Sequence, residues 1–253
     1  MKCSAFEIPP QETLAHRTRH REEMGCQIVH DSIHRRQGWM KCFRLELAGR
    51  SVGYAGVAVG GPWKDRPTIL EFYVLPEERT RAFDLFEVFL AESRAQALEI
   101  QSSDVLPTVM LHTYGRDVES EKIVFRDGRI TDHPSQGAVL RAVTPESEIR
   151  TAIEARQGGG EWVLERGETR IAKGGILFHY NRPYGDIYMD VEESFRRNGY
   201  GTYLVQEIKR ECYALGAVPA ARCSPSNTAS RKTLMSAGFI PYAHILCASI
   251  PTA

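Results

Sequence analysis

Apolar and polar residues alternate along much of this chain in the patterns of short strands and amphipathic helices. The clearest case begins at Ile187, Met189 and Val191, whose alternation with polar residues predicts a strand over 186–191. A polar turn over 196–201 follows. Apolar residues then recur at helical spacing and predict an amphipathic helix over 202–215: Leu204, Val205, Ile208, Cys212 and Leu215.

The same patterns predict elements on both sides of this strand–turn–helix unit. The predicted strands lie within 41–59, at 68–75, at 107–112, within 162–180, at 219–224 and at 242–250. The predicted helices lie within 11–38, at 76–98 and at 228–237. Asp127-Gly128 is typical of a hairpin turn, and 133–137 has the composition of a linker.

The order of these elements is similar in the two halves of the chain, which indicates an internal duplication. An offset of 117 residues places Val74 over Val191, Arg79 over Arg196, Ala82 over Gly199 and Asp84 over Gly201. We therefore predict two domains of related architecture, 1–137 and 138–253. The first copy lacks both glycines of the turn.

The turn before the helix over 202–215 has the features of an anion site. Gly199 and Gly201 allow a tight turn in which several backbone N–H groups point the same way. The helix N-terminus adds unpaired donors and a positive dipole end. Arg196 and Arg197 add full positive charges. The pattern suits a phosphate or diphosphate, although it is neither a P-loop nor a G-x-G-x-x-G dinucleotide fingerprint.

The spacing Arg196-x-x-Gly199-x-Gly201 resembles the R/Q-x-x-G-x-G/A pyrophosphate loop of the GNAT acetyltransferase superfamily. The elements from 161 to 250, including Asn227 and the pair Gly238-Phe239, follow in the order that this family shows. The resemblance implies an α/β (α+β) fold of two GNAT-like domains, each with a mixed, mostly antiparallel sheet flanked by helices. It also implies acetyl-coenzyme A (acetyl-CoA) as co-substrate, bound by the second domain.

The resemblance further implies which residues hold acetyl-CoA. The strand over 186–191 would bond the pantetheine arm, the turn would hold the diphosphate, and the start of the last helix would contact the arm near the thiol. These residues are Met189, Asp190, Val191, Arg196, Arg197, Asn198, Gly199, Tyr200, Gly201, Thr202, Asn227 and Ser230. In the first copy Asp84 would place a carboxylate against a phosphate, so that copy is expected to be degenerate.

The catalytic groups depart from the family pattern. Its usual base and acid positions correspond here to Gly185, Ile187 and Leu234, none of which transfers protons. Four nearby residues are substitute candidates: His179, Tyr184, Asp186 and Ser224. His179 has the alternative interpretation of a histidine that fills a strand position. Asp186 is expected by strand alternation to face away from the positions that the family uses.

Composition limits the partners. The 32 basic and 32 acidic side chains cancel, which argues against obligate nucleic-acid binding. We find no apolar run long enough to cross a membrane and no signal-peptide core at the N-terminus. The six cysteines form no C-x-x-C pair, which is typical of reduced thiols and predicts a cytoplasmic protein.

Two pairs of histidines at helical spacing, His16 with His20 and His30 with His34, raise the question of a metal. Arginines surround both pairs, and no nearby carboxylate or cysteine clearly completes a ligand set. We therefore predict no metal, and a basic helix that is solvated or faces the substrate.

These observations lead to two functional hypotheses. The first is an acetyl-CoA-dependent N-acetyltransferase acting on a primary amine of a small molecule or peptide, as a monomer or homodimer. The alternative is a non-catalytic acyl-CoA-binding sensor or structural protein. The acceptor and the acyl chain length stay open at the level of sequence.

Overall fold

A computed structural model describes residues 2–251 of the chain. The first half forms nine strands and α-helices: β1 (Cys3–Ile8), α1 (Leu14–Met24), β2 (Met40–Leu47), β3 (Arg50–Ala58), β4 (Thr68–Val74), α2 (Ala82–Ser93), β5 (Ala97–Gln101), α3 (Val105–Tyr114) and β6 (Arg116–Asp127). The second half forms another nine: β7 (Val139–Ala142), α4 (Glu146–Ala155), β8 (Gly159–Arg166), β9 (Thr169–Leu177), β10 (Tyr184–Val191), α5 (Tyr200–Ala214), β11 (Val218–Cys223), α6 (Thr228–Ser236) and β12 (Phe239–Ser249). None of the helices in this described part of the chain combines the length and apolarity needed to cross a bilayer.

The chain divides into two compact units. The first unit contains the described parts of Met1–Gly25, Ile33–Glu121 and His244–Ala253. The second unit contains Cys26–Ser32 and Lys122–Ala243. Both β6 and β12 have their residues divided between the units.

The sheet of the first unit has the strand order β1-β2-β3-β4-β5-β12. Neighbouring strands are antiparallel except β4 and β5, whose short parallel ladder ends at Ile69 and Leu98. Aromatic side chains of β2, β4 and α2 pack into its core: Phe43, Phe72, Phe86 and Phe89. Burial of these rings contributes to the apolar driving force for this unit.

The sheet of the second unit has the order β6-β11-β10-β9-β8-β7. It is antiparallel except for the pair β10 and β11. Ile187 of β10 and the apolar face of α5 lie in one core with Ile149 of α4 and Leu234 of α6. The helical face predicted from 204, 205, 208 and 212 is buried as expected.

Part of the last strand of each copy lies in the other copy's unit. Residues 244–249 of β12 belong to the first unit, where this strand pairs with β5. Residues 122–127 of β6 belong to the second unit, where this strand pairs with β11. The compact units therefore do not coincide with the predicted ranges 1–137 and 138–253, because strand pairing over long sequence separations, and not chain order, sets their limits. That those two ranges are a degenerate and a cofactor-binding copy stays a prediction.

Several predicted elements need correction. Residues 107–112 were expected to form a strand but lie within helix α3, which buries Met110 and Leu111. The helix expected over 76–98 ends at Ser93, where Arg94 adopts a left-handed conformation, and β5 follows. Asp127-Gly128 ends β6 without forming a hairpin, since β6 pairs with β11 and the next strand, β7, pairs with β8.

The histidine-rich helix is also not simply solvated. His20 of α1 is buried; its ring nitrogens lie 2.8 Å from the Tyr54 hydroxyl and 2.7 Å from an Asp104 carboxylate oxygen. His34 lies 2.6 Å from a carboxylate oxygen of Glu71, a buried residue of β4. Arg21 reaches the other oxygen of Glu71 at 2.8 Å. These contacts form one buried polar cluster within the first unit.

Candidate functional site

A cavity of about 1000 Å³ lies in the second unit. The end of β10, the turn before α5 and one face of α6 form its walls. The lining residues are Met189, Asp190, Val191, Phe195, Arg196, Arg197, Gly199, Gly201, Thr202, Asn227, Thr228, Ala229, Ser230, Lys232, Thr233 and Ser236. Ten of the twelve residues predicted to bind cofactor are among them.

The two other predicted residues lie outside this lining. Tyr200 is buried under the turn, where its hydroxyl accepts a hydrogen bond from Arg166 at 2.9 Å. Asn198 donates its side-chain amide to the carbonyls of Phe195 and Arg196, at 3.4 and 3.1 Å. Both residues therefore hold the shape of the turn from outside the cavity.

The turn that carries the two glycines is tightly built. Gly199 adopts φ of 82°, a left-handed conformation that side chains disfavour, and α5 begins at the next residue. A Cβ at Gly201 would lie 3.3 Å from Val191 and 3.4 Å from Thr233. The start of α5 thus lies close to β10 and α6, with the unpaired N–H groups of its first turn beside the cavity.

Positive charge dominates the lining. Arg196, Arg197 and Lys232 carry positive charges, and Asp190 is the single carboxylate in the lining. Arg196 is fixed in place because its Nε donates to the Val191 carbonyl at 2.9 Å. Its guanidinium also lies 3.9 Å from Asp190. Lys232 enters from α6, on a different wall from the two arginines.

Apart from Phe195, the lining residues that sequence reasoning missed all lie on α6. Thr228, Lys232 and Ser236 follow one another at four-residue spacing, as do Ala229 and Thr233. This four-residue spacing along the helix that follows Asn227 was the sequence signal that could have identified them. Asn227 itself caps α6, since its side-chain oxygen accepts from the Ser230 backbone N–H at 3.0 Å.

The strands β10 and β11 separate beside this cavity. Their parallel register covers only Tyr184–Asp186 of β10, whereas the antiparallel register with β9 continues to Val191. Residues 187–191 of β10 therefore extend beyond the ladder with β11. The last three of these residues line the cavity. We call the end of the ladder, at Asp186 and Ala220, the fork.

A buried polar group lies at the fork. Asp186 is 6% exposed, and its carboxylate lies 3.2 Å from His179 Nε2 and 3.4 Å from Arg222 Nε. Tyr180 is also buried, and burial together with the charge of Asp186 raises the pKa of its phenol well above the usual value. His179 and Asp186, two of the four catalytic candidates, are thus brought together. Ile187 faces the core, so Asp186 faces the opposite side of the sheet as expected.

The other two candidates have different surroundings. Tyr184 is half-buried at the start of β10, where burial raises the pKa of its phenol and the nearby Cys26 thiol raises it further. The Ser224 hydroxyl lies 2.9 Å from that of Ser226. Among the interactions described for residues 2–251, none joins Tyr184 or Ser224 to Asp186.

The positions that the family usually uses for its base and acid are filled with packing residues. Ile187 and Leu234 are each 4% exposed and belong to the core. A Cβ at Gly185 would lie 2.6 Å from Ile176 and 3.3 Å from the sulfur of Cys212, so that this glycine allows close packing against α5. No side chain that transfers protons occupies these three positions.

Sequence and structure comparisons agree with this architecture. Residues 131–239 match the model of the acetyltransferase (GNAT) family, the family that the glycine turn resembles. No curated protein matches the chain significantly in sequence.

Solved structures of acetyltransferases share the fold over the whole chain. A GNAT-family acetyltransferase from Colwellia psychrerythraea superposes with a TM-score of 0.70 at 13% identity, covering 99% of this chain and 100% of that chain. A tandem GNAT protein from the clavulanic acid biosynthesis pathway gives 0.64 at 13% identity, with 100% of both chains covered. A GCN5-related N-acetyltransferase from Sphaerobacter thermophilus gives 0.63 at 15% identity, covering 99% and 97%. At these identities the three structures show a shared fold.

Proposed function

We propose that the second unit binds acetyl-CoA and transfers its acetyl group to a primary amine of a small molecule or peptide. The observation that carries this proposal is the position of the cavity. It is lined by the residues of β10 that extend past the fork and by the start of α5. A ligand in it can reach both the edge of a strand and the N-terminus of a helix.

The charges of the lining favour a ligand with phosphates. The lining combines three cationic side chains and the unpaired N–H groups of α5 with only one carboxylate, so its net charge is positive. The volume of about 1000 Å³ is at the upper end for small-molecule sites, which suits a ligand as long as coenzyme A. When bound, acetyl-CoA supplies the activated acetyl group. The arginines of the turn would hold its diphosphate, and Met189 to Val191 its pantetheine arm.

The group at the fork supports proton transfer. An amine must lose a proton as its nitrogen bonds to the acetyl carbon and the carbon–sulfur bond breaks. His179 can accept this proton, and the Asp186 carboxylate, 3.2 Å from Nε2, balances the charge that the imidazole then carries. Tyr184 and Ser224 keep their hydroxyl protons at neutral pH and are retained as candidate donors. Positioning of the amine supplies further acceleration.

One observation favours the alternative of a non-catalytic acyl-CoA-binding protein. The family's usual base and acid positions are occupied by Gly185, Ile187 and Leu234, and the two side chains among them are buried. A protein of this kind would bind acetyl-CoA at the same cavity and not release coenzyme A in the presence of amines.

Two measurements on the full chain test the proposal. Calorimetric titration with acetyl-CoA should show one site per chain. Coenzyme A release, followed with a thiol reagent over a panel of amines that includes polyamines and peptides, should then identify an acceptor. Binding without release would favour the sensor, and the absence of binding would contradict both. We further propose a cytoplasmic location, on the cysteine pattern of the sequence.

A further inference from the structure

The segment over 131–138, which includes the predicted linker 133–137, packs within the second unit; we call it the strap. The Thr131 hydroxyl and the His133 backbone N–H both donate to the side-chain oxygen of Gln206, at 2.9 and 2.6 Å. Gln206 lies on α5 and is 2% exposed. At the other end of the strap, Ala138 is buried in the core. The strap is therefore anchored on both sides of Gln136.

Gln136 reaches the glycine turn from this strap. Its side-chain Nε2 donates to the carbonyl oxygen of Asn198 at 2.7 Å. Gln136 itself adopts φ of 52°, a left-handed conformation that is unfavourable for a residue with a side chain. A local turn holds it there, since the Ala138 N–H donates to the Ser135 carbonyl at 2.9 Å.

Peptide geometry connects this hydrogen bond to the cavity. The carbonyl of Asn198 and the N–H of Gly199 belong to one planar trans peptide, so they point in opposite directions. Asn198 lies outside the cavity lining, whereas Gly199 lies in it. A Cβ at Gly199 would lie 3.1 Å from Gln136 Nε2, which places the amide of Gln136 directly against this glycine. Holding the Asn198 carbonyl toward the strap fixes the direction of the Gly199 N–H on the other side.

We infer that Gln136 is a positioning residue for the diphosphate of the ligand: it fixes the Asn198–Gly199 peptide so that the Gly199 N–H donates into the cavity. The inference rests on the proposed function for the identity of the ligand. The inferred role of Gln136 concerns only the diphosphate end of the ligand. In the interactions described for residues 2–251, Gln136 contacts neither β10 nor the fork.

The test uses Gln136→Met, which keeps the length of the side chain and removes the donor, with Gln157→Met at an exposed glutamine as the matched control. Inorganic pyrophosphate is titrated into the full-length protein, and the backbone amide of Gly199 is followed by NMR. In the wild type this resonance should shift on titration. Gln136→Met should weaken the binding about 3- to 10-fold, the usual effect of one lost hydrogen bond. An unresponsive Gly199 amide, or equal affinity in both proteins, would overturn the inference.

A second measurement separates positioning from a general structural role. Acetyl-CoA and S-acetylpantetheine, which lacks the diphosphate, are compared in wild type and Gln136→Met. Affinity should fall for acetyl-CoA and stay constant for S-acetylpantetheine, with unchanged thermal stability. Equal losses for the two ligands would refute the assignment. If the wild type binds pyrophosphate through Gly199 but does not bind acetyl-CoA, the proposed function fails while the role of Gln136 stands.

Discussion

Arg79 and Arg196 make the same hydrogen bond in the two copies. Each donates its Nε to the carbonyl oxygen of the residue five positions earlier, Val74 at 3.0 Å and Val191 at 2.9 Å. The offset of 117 residues that aligned the two halves in sequence thus matches equivalent contacts in the structure. The copies differ after this arginine. Ala82 has an ordinary helical φ of −62°, whereas Gly199 is left-handed, and the Asp84 carboxylate pairs with Arg81 at 2.5 Å.

The matched arginines give the first prediction. Arg196→Ala should weaken acetyl-CoA binding about 10- to 100-fold, because a charge-assisted hydrogen bond to a phosphate contributes roughly 1.5–3 kcal/mol. Arg79→Ala removes the same backbone bond in the first copy and should leave the affinity unchanged. Calorimetric titration of the two variants is the measurement. Equal losses would mean that the arginine acts through the fold and not through the ligand.

Exchange of residues between the copies tests the glycine turn. Gly201→Asp places a carboxylate against Val191 and Thr233 at the mouth of α5 and should abolish binding of acetyl-CoA without unfolding the protein. The reverse change, Ala82→Gly with Asp84→Gly, should leave the stoichiometry at one site per chain. A second site in that variant, measured by calorimetry, would show that these two residues alone keep the first copy from binding.

The pair at the fork predicts a kinetic effect. Asp186→Asn and His179→Gln should each lower kcat for amine acetylation by about 100-fold or more, the usual contribution of general base catalysis, with little change in KM for acetyl-CoA. Steady-state kinetics with the acceptor found in the amine screen would measure both constants. An unchanged kcat in both variants would leave positioning as the main source of acceleration.

The surroundings of Glu71 predict that the stability of the folded protein depends on pH. Burial by itself would raise the pKa of Glu71, but Arg21 and His34, with a contribution from His20, hold it well below its usual value. A lowered folded-state pKa means that the ionised carboxylate stabilises the fold above the unfolded-state pKa of about 4.5. This contribution is lost as the pH falls through the folded-state pKa.

Glu71→Gln should therefore destabilise the protein at neutral pH by about 3–5 kcal/mol, the usual cost of breaking a buried pair. This destabilisation should become smaller as the pH falls. Thermal unfolding between neutral pH and pH 3 measures both effects. Asp84→Asn, in an exposed pair with Arg81, is the control and should leave the unfolding temperature unchanged at each pH. A constant difference across this pH range would contradict the assignment.

One glycine of β9 occupies a position where the fold leaves no room for a side chain. Gly175 pairs with both Glu161 and Tyr188, and a Cβ there would lie 2.2 Å from the Gly160 carbonyl oxygen and 2.8 Å from the Tyr188 ring. Gly175→Ala should cost about 2–4 kcal/mol of stability because backbone must move. Faster hydrogen exchange of the backbone amides in β8–β10 would report this loss of stability. Gly167→Ala, where a Cβ meets nothing within 4 Å, should cost about 1 kcal/mol from its left-handed φ alone.

The sequence by itself determined the local elements and the glycine turn. Ile187, Met189 and Val191 identified β10, and Arg196, Gly199 and Gly201 identified the turn, because their spacing depends only on neighbouring residues. The predicted cofactor residues between 189 and 202 line one cavity with few exceptions because they are neighbours along the chain.

Only the tertiary structure decided which distant segments pair. It placed β12 beside β5 and β6 beside β11, made a helix of 105–114, and brought Gln136 to the glycine turn. It also set His179 beside Asp186 at the fork. The strand pairs and the contact of Gln136 join residues far apart in the chain, and the contact of His179 with Asp186 forms across the loop that enters β10. Hydrophobic periodicity reports which face of an element is buried but not which partner buries it.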